Sequence, residues 1–292
     1  MASSGSAYSF IGLGDMGGPM AANMAAAGLA LTVYDKAGTA GRAPAAATEV
    51  QSVAAVAAAA DTIYFSLPDG AICMSVAQEV IAAADRRVAT VVDLSTIGPE
   101  AAREIAATLA EANIAYMDAP VSGGAAGAKA GTITVMWGGP RDVMEGQRPA
   151  LEAIAGNIFH VGDDAGQGQT MKLVNNYLSA MALAATSEAM AFGTSQGLDI
   201  GTMIEVLNVS TGRNSATMDK FPNRIVTGRY DAGFRTRLMV KDVGLYATNA
   251  EKAGTFAELA PVLDNLWHRV DRAMPDSDIT EIYKFMGGGD AT

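Results

Sequence analysis

Lys172 and Asn176 stand four residues apart in the run Gly166-Gln167-Gly168-Gln169-Thr170-Met171-Lys172-Leu173-Val174-Asn175-Asn176. On a helix that spacing puts both on one face. A lysine held there, near a cleft between domains, is partly desolvated. Desolvation lowers its pKa from ~10.4 towards neutrality, where an amine can exchange a proton with an alcohol. Asn176 can hydrogen-bond the same oxygen or hold the ammonium in place. Spacing alone is equally compatible with a solvated lysine on a helix surface.

A second chemical signature is Gly12-Leu13-Gly14-Asp15-Met16-Gly17, directly after Ser9-Phe10-Ile11. Glycines there permit a tight turn, close approach of backbone to a pyrophosphate, and helix–strand packing, and the following helix start offers N–H groups to the phosphates. Asp35 ends the next predicted strand roughly twenty residues on, where a carboxylate accepts hydrogen bonds from both adenosine ribose hydroxyls. The plain alternative is a glycine turn plus a surface aspartate. The charge on Asp35 repels a 2′-phosphate and so favours NAD over NADP; Lys36 softens that repulsion and leaves NADP open.

An enzyme that passes hydride between a nicotinamide and an alcohol needs a group for the hydroxyl proton. A Tyr-x-x-x-Lys pair is absent: the positions four after the eight tyrosines hold Gly12, Gly38, Pro68, Pro120, Met181, Phe234, Ala250 and Gly287. One Cys and two His are too sparse for a zinc site, so no metal is expected. His160 falls at a predicted strand end and His268 deep in the second half, and both read as structural. Lysine is what remains.

The elements that must position these groups follow two rhythms. Up to about residue 162, short β-rich runs (Ala7–Ile11, Leu31–Tyr34, Thr62–Leu67, Thr90–Leu94, Ile114–Met117, Thr132–Trp137, Ile158–Val161) alternate with Ala-rich helical stretches such as Pro99–Asn113. Such alternation implies a mostly parallel sheet covered on both faces. From Gln169 to Ser195 the only glycine or proline is Gly193, a run of ~40 Å if wholly helical. Met171, Val174, Leu178, Met181, Ala185, Ala189 and Phe192 recur at three and four residues and predict its apolar stripe. Shorter helices are expected over 200–285, broken at Ser210–Asn214, Gly228–Gly233 and Pro261. The fold class is therefore an α/β, doubly wound N-terminal sheet followed by an all-α domain opened by a long interdomain helix. The expected division is 1–164 for the dinucleotide-binding domain, 165–286 for a helical substrate and dimerisation domain, and 287–292 for a frayed tail.

Twenty basic against 31 acidic residues give a net charge of −11, a poor match to nucleic acid or an anionic membrane. No apolar run reaches the ~18 residues of a membrane span. Met1–Ala7 lacks the basic start of a signal peptide, and the lone Cys73 suits a reducing compartment, so a cytoplasmic protein is expected. The long stripe exceeds what one helical domain buries, which points to a homodimer or homotetramer.

Four ordered blocks make the chain resemble the β-hydroxyacid dehydrogenases from about Phe10 to Phe285. They are the Gly12–Gly17 loop with Met20-Ala21-Ala22-Asn23-Met24 behind it, Asp118-Ala119-Pro120-Val121-Ser122-Gly123-Gly124, the Gly166–Asn176 run, and Lys241-Asp242. The resemblance implies a Rossmann-type first domain and hydride transfer between NAD(H) and a small β-hydroxy acid or its semialdehyde. It makes Lys172 the catalytic lysine with Asn176 beside it, and puts the substrate carboxylate on Ser122, Gly123 and Gly124 with Asp242 nearby. It assigns the cofactor to Gly12, Leu13, Gly14, Asp15, Met16, Gly17, Asp35, Leu67, Pro68, Thr96 (near the nicotinamide) and Lys241. Ser122-Gly123-Gly124 also makes physical sense by itself: it can turn successive N–H groups towards one point, and the Ser122 hydroxyl adds a donor. For Lys241 the residue types alone suggest only a surface cation paired with Asp242. Arg213 could meet the distal end of a substrate or be a solvated arginine, and Phe234 is placed to wall a pocket.

Relatives of the same fold remain as alternatives. Short-chain semialdehyde or sulfonate-aldehyde reductases share the chemistry. Imine reductases usually replace the lysine, and 6-phosphogluconate dehydrogenase carries a longer helical region and a His-Asn block before the lysine. A silent dinucleotide-binding module is disfavoured by intact Lys172, Asn176 and Ser122. Which acid is used, and in which direction, the residues do not say.

Overall fold

Central strands covered on both faces read as near-continuous apolar runs, and Phe10, Val33, Ile63, Tyr64, Phe65, Val91 and Val92 are all fully buried. In the computed structural model, which describes residues 7–288, these residues belong to β1 (Ala7–Ile11), β2 (Ala30–Tyr34), β4 (Thr62–Phe65) and β5 (Thr90–Asp93). With β3 (Thr48–Glu49) and β6 (Ala115–Asp118) they form a parallel sheet in the order β3-β2-β1-β4-β5-β6. The sheet extends through β7 (Val121–Ser122), β8 (Ile133–Gly138) and β9 (Ala155–Gly162); β8 runs antiparallel to β6 and β7 and parallel to β9. The order reverses between β1 and β4, so the loops leaving their C-terminal ends diverge and open a crevice, the usual ligand position in such sheets.

Seven helices connect these strands: α1 (Gly17–Ala26), α2 (Val53–Ala59), α3 (Gly70–Ala82), α4 (Pro99–Ala110), α5 (Gly124–Ala130), α6 (Arg141–Gly146) and α7 (Arg148–Ile154). Residues of α1, α5, α6 and α7 build one core with Phe10, Val33 and Trp137. Residues of α2, α3 and α4 build a second with Ile11, Ile63 and Val91. Successive β1 residues thus feed opposite cores, as period-two side chains must. Pro99 opens α4 and Glu100 lies in its first turn, matching the start read from Pro-Glu.

The described chain divides into two compact units, one ending at Lys172 and the other beginning at Leu173. The division falls inside α8 (Gln167–Ser195), whereas the change of rhythm near residue 164 marks only where the helix is about to begin. The second unit continues through α9 (Ile200–Asn208), a π-helical segment (Ala216–Ile225), α10 (Thr236–Lys252), α11 (Leu259–Ala273), a 3-10 turn (Ile279–Glu281) and α12 (Ile282–Phe285). Its core holds Leu183, Met190, Phe221, Val243, Trp267 and Tyr283.

Two expectations need correction here. Met171, Val174, Leu178, Ala185, Ala189 and Phe192 are exposed and Met181 is half-buried, so the predicted stripe is the outer face of α8. The inner face carries Leu173, Asn176, Ala180, Leu183, Ala184, Ser187 and Met190. An Ala-rich helix is apolar on several sides, so a three–four period selects no single face, and the inner one includes polar groups with partners. Pro261 does not end a helix either: it is the third residue of α11, where its missing N–H has no intrahelical partner to lose.

Among the described residues no helix is long and apolar enough to cross a membrane. The expectations for residues 1–6 and 289–292 lie outside the described residues.

Candidate active site

The chain leaves β1 through Gly12, whose φ of +95° favours glycine and whose added Cβ would run into the backbone oxygen of Ser66. At Gly17 a Cβ would strike the carbonyl oxygen of Gly12, whereas a Cβ at Gly14 would meet no heavy atom within 4 Å. The outer two glycines are thus required by packing, and the middle one borders open space. That distribution fits a pyrophosphate cradle. No side chain caps the start of α1 at Met16; Gly18 N–H is taken up by the Gly14 carbonyl oxygen, and Gly14 and Asp15 are exposed beside this turn.

Asp35 closes this loop from the end of β2. Its Oδ2 accepts a 2.7 Å hydrogen bond from Leu13 N–H, and Oδ1 accepts one of 2.8 Å from Ala37 N–H. Arg42 Nη1 stands 3.6 Å from Oδ1. Both oxygens of the carboxylate are thus held by backbone N–H groups. The charge beside it comes from Arg42, which the sequence reading did not anticipate.

The ends of β4, β5 and β6 are stitched together. Leu67 N–H donates to Ser95 Oγ (2.8 Å), and Ser95 N–H donates to Asp93 Oδ1 (2.9 Å). Tyr116 Oη–H donates to Asp93 Oδ2 (3.0 Å). Asp93 is fully buried, and burial raises its pKa above the ordinary carboxylate value despite these bonds. Burial, reinforced by the charge of Asp93, also pushes the Cys73 thiol well up, so Cys73 is a packed hydrophobe and not a nucleophile. Thr96 follows Ser95 and is half-buried; Pro68 follows Leu67 and is exposed.

Asp118, at the end of β6, accepts hydrogen bonds from Gly166 N–H and Gln169 N–H, both 2.7 Å, and so caps α8 from a distant strand. Burial raises its pKa to about 6, outweighing the two backbone donors that favour the charged form. The fully buried Gln169 bridges onward: its Oε1 accepts from Ile97 N–H (2.9 Å) and Gly98 N–H (3.1 Å), and its Nε2 donates to the Ser95 carbonyl (2.8 Å). Lys172 follows on the same inner face at 7 % exposure. Downstream of Asp118, β7 delivers the half-buried Ser122, and Gly123 (φ +130°) and Gly124 (φ +63°) turn the chain into α5.

In the second unit, Asn176 Nδ2 donates a 2.6 Å hydrogen bond to Asp242 Oδ2, and Lys241 Nζ lies 3.4 Å from Asp242 Oδ1. The rings of Tyr177 and Tyr246 stack at 4.0 Å beside this group. Through its hydrogen bond Asp242 fixes the side-chain amide of Asn176. The predicted residues therefore fall into two sets. Gly12–Gly17, Asp35, Leu67, Thr96, Ser122 and Lys172 belong to the first unit, and Asn176, Lys241 and Asp242 to the second.

Arg213 is exposed in a loop with Ser210 and Thr211, while Phe234 packs on the helical core. His160 is taken up by Gly139 O, Arg141 and Asp163, and the half-exposed His268 lies 3.8 Å from Asp264. Among the described residues no group of three or more His, Cys, Asp or Glu is placed to hold a metal. The linking residues Asp93, Asp118 and Gln169 were missed. Asp118 was visible only as the first letter of the Ser122 block, and nothing in spacing tells a buried amide from a surface one.

Comparison with known proteins agrees with this layout. A family model described as the NAD binding domain of 6-phosphogluconate dehydrogenase matches residues 7–162, and one described as NAD-binding of NADP-dependent 3-hydroxyisobutyrate dehydrogenase matches residues 166–286. The chain is 36% identical to a 3-hydroxyisobutyrate dehydrogenase of Pseudomonas aeruginosa, over 96% of this chain and 98% of the relative. It is 39% identical to a 2-(hydroxymethyl)glutarate dehydrogenase of Eubacterium barkeri, over 84% and 82%. The solved structure of Mycobacterium tuberculosis 3-hydroxyisobutyrate dehydrogenase with L-serine superposes with a TM-score of 0.88 at 31% identity, covering 97% of this chain and 99% of that one.

Proposed function

Given that the chain belongs to the β-hydroxyacid dehydrogenase family, we propose that it interconverts a small acid bearing a hydroxymethyl group next to its carboxylate and the matching semialdehyde, with Lys172 handling the hydroxyl proton. As an NAD-dependent hydroxyacid dehydrogenase it works with a nicotinamide ring that accepts or returns hydride. The acids named with its relatives, 3-hydroxyisobutyrate, 2-(hydroxymethyl)glutarate and L-serine, share one unit: a CH2OH and a carboxylate on the same carbon. They differ only in the third substituent of that carbon. The shared unit is the part this chain's own residues are suited to recognise.

In this reading the Ser122 hydroxyl and the backbone N–H groups of the Ser122–Gly124 turn bind the carboxylate. Lys172 Nζ takes the hydroxyl proton as the C–H bond breaks and the carbonyl forms; in reduction it returns the proton to the same oxygen. Asn176, oriented by Asp242, steadies that oxygen or the ammonium. Asp35 receives the adenosine ribose, and the open space over Gly14 takes the pyrophosphate. The family resemblance assigns Lys241 to the cofactor as well. NAD is the preferred partner, because Asp35 repels a 2′-phosphate, while Arg42 and Lys36 leave NADP usable.

One observation carries the proton role. Lys172 is buried one turn into α8, on the inner face with Asn176, in a sequence that has no Tyr-x-x-x-Lys pair to do the same work. Lys172→Ala should lower kcat by about 10³-fold, within the range for losing a general acid–base group, while NADH still binds. Assays with 3-hydroxyisobutyrate, L-serine and 2-(hydroxymethyl)glutarate would measure this. Undiminished turnover removes Lys172 from the mechanism, and turnover of the methyl ester as fast as of the free acid removes the Ser122 turn.

We also infer a homodimer or homotetramer. The outer face of α8 presents Met171, Val174, Leu178 and Phe192, each 37% exposed or more. That is a continuous apolar ridge of the sort a monomer seldom leaves in water.

A further inference from the structure

Gln169 joins Ser9, Asp93 and Asp118 among the fully buried polar residues of the first unit. It is a primary amide with no exposed surface, set in the first turn of α8 where a leucine would fill the space without desolvating polar atoms. Its three hydrogen bonds all go to backbone of one irregular segment: Ile97 N–H, Gly98 N–H and the Ser95 carbonyl. One side chain thereby fastens the loop after β5 to the helix that carries Lys172. Asp118 fastens the same turn to β6 through Gly166 and Gln169 N–H.

Packing leaves this turn no freedom to slide. A Cβ on Gly138 would lie 2.7 Å from Gly168 N and from Asp118 Oδ1, and one on Gly168 would lie 2.6 Å from the Asp118 carbonyl oxygen. Helix backbone therefore rests directly on the ends of β6 and β8. Lys172 follows Gly168 and Gln169 by four and three residues, and helical side chains lean back towards the N-terminus, over this turn. A shift of the turn is a shift of the amine.

On the reading that Lys172 handles the substrate proton and Thr96 lies by the nicotinamide, we propose that Gln169, with Asp118, is the positioning residue that sets the distance between proton transfer and hydride transfer. It touches neither substrate nor cofactor. It holds Lys172 and the Ser95–Gly98 loop in one frame, so that both bonds to hydrogen can break in a single geometry.

The test compares Gln169→Leu and Gln169→Glu with the parent and with Lys172→Ala. The readouts are kcat and KM on 3-hydroxyisobutyrate and L-serine with NAD, the NADH Kd by fluorescence, and the melting temperature. Gln169→Leu should lower kcat about 100-fold, the scale of a misplacement of roughly 1 Å, with the NADH Kd within about threefold of the parent. Gln169→Glu keeps both acceptor bonds to Ile97 and Gly98 and should recover about tenfold of that loss, a rescue that filling space alone does not give. Parent kcat in both variants, equal losses in both, or a loss that tracks the unfolded fraction would overturn the proposal. Should Gln169→Leu not fold, Gln169→Glu decides by itself: a drop of about tenfold in kcat at parent NADH Kd supports the proposal and parent kcat defeats it. A Lys172→Ala enzyme that still turns over sinks the proton role and this inference with it. An inactive Lys172→Ala beside unaffected Gln169 variants sinks this inference alone.

Discussion

The glycine loop allows folding and cofactor binding to be separated by one methyl group. Gly14→Ala adds a Cβ that meets nothing within 4 Å, at a residue outside the left-handed region. The protein without cofactor should therefore keep its stability, or gain the ~0.4–1 kcal/mol that Gly→Ala yields by restricting the unfolded chain. The same methyl stands where the pyrophosphate must approach. Losing one charge-assisted hydrogen bond costs about 1.5–3 kcal/mol, so the NADH Kd should rise by ~10-fold to ~150-fold. Gly17→Ala is the contrasting control, because its Cβ collides with the Gly12 carbonyl oxygen, a backbone atom that cannot swing away. It should lose about 1–3 kcal/mol of stability whether or not cofactor is present. Denaturant melts without cofactor and NADH fluorescence titrations on the three proteins make the comparison. Gly14→Ala that binds NADH like the parent, or that melts as low as Gly17→Ala, would refute the assignment of the open space to the pyrophosphate.

Asp35→Ser should cut the ratio of kcat/KM for NAD over NADP by about tenfold or more, since roughly 1.4 kcal/mol of lost repulsion is tenfold; a parent enzyme already faster with NADP contradicts the role given to Asp35. Asp118 predicts a pH dependence of stability. Its folded pKa of about 6 lies above the ordinary value of 3.8, so its contribution is fully present below pH ~3.8 and is lost as pH rises through ~6, about 3 kcal/mol in all. Between about pH 4.5 and 7.5 the unfolding midpoint of the parent should therefore fall relative to that of Asp118→Asn as pH rises, and parallel curves would exclude the effect. Light scattering at micromolar concentration should give two or four copies, with Leu178→Glu plus Phe192→Glu shifting the mass to one; a monomeric parent ends the oligomer reading.

The first unit was legible because its signals are local. β1, the glycine turn and Asp35 lie within one short stretch, and a parallel strand buried on both faces is mostly apolar. The second unit was legible in outline and wrong in detail for a single reason: alanine is apolar yet small enough to sit anywhere. Ala180 and Ala184 face inward on α8 while Ala185 and Ala189 face out, so the period could be drawn through either set. The π-helical segment Ala216–Ile225 was covered only by the general expectation of shorter helices, although Pro222 lies inside it. Lys172 and Asn176 were singled out by their spacing together with the family resemblance. Asp118 and Gln169 were not, because their partners lie 48 to 74 residues away and a sequence pattern carries no record of such pairings.

The inner face of α8 is where these two lessons meet. A helix that only needed a core would bury leucine and leave its amides and its lysine to water, yet Gln169, Lys172, Asn176 and Thr186 are all turned inward. Each polar group removed from water costs free energy unless a partner replaces the water. The replacements are specific: the Ser95–Gly98 backbone for Gln169, Asp242 for Asn176, and Asn214 for Thr186 at 3.0 Å. Such bonds stabilise only modestly in sum, but they tolerate little displacement, since hydrogen bonds weaken steeply with distance and angle. Their joint effect is to select one rotational setting of α8 from the several that its alanines would pack equally well. A helix chosen for adhesion alone has no use for that selection; one that must present an amine at a fixed point does.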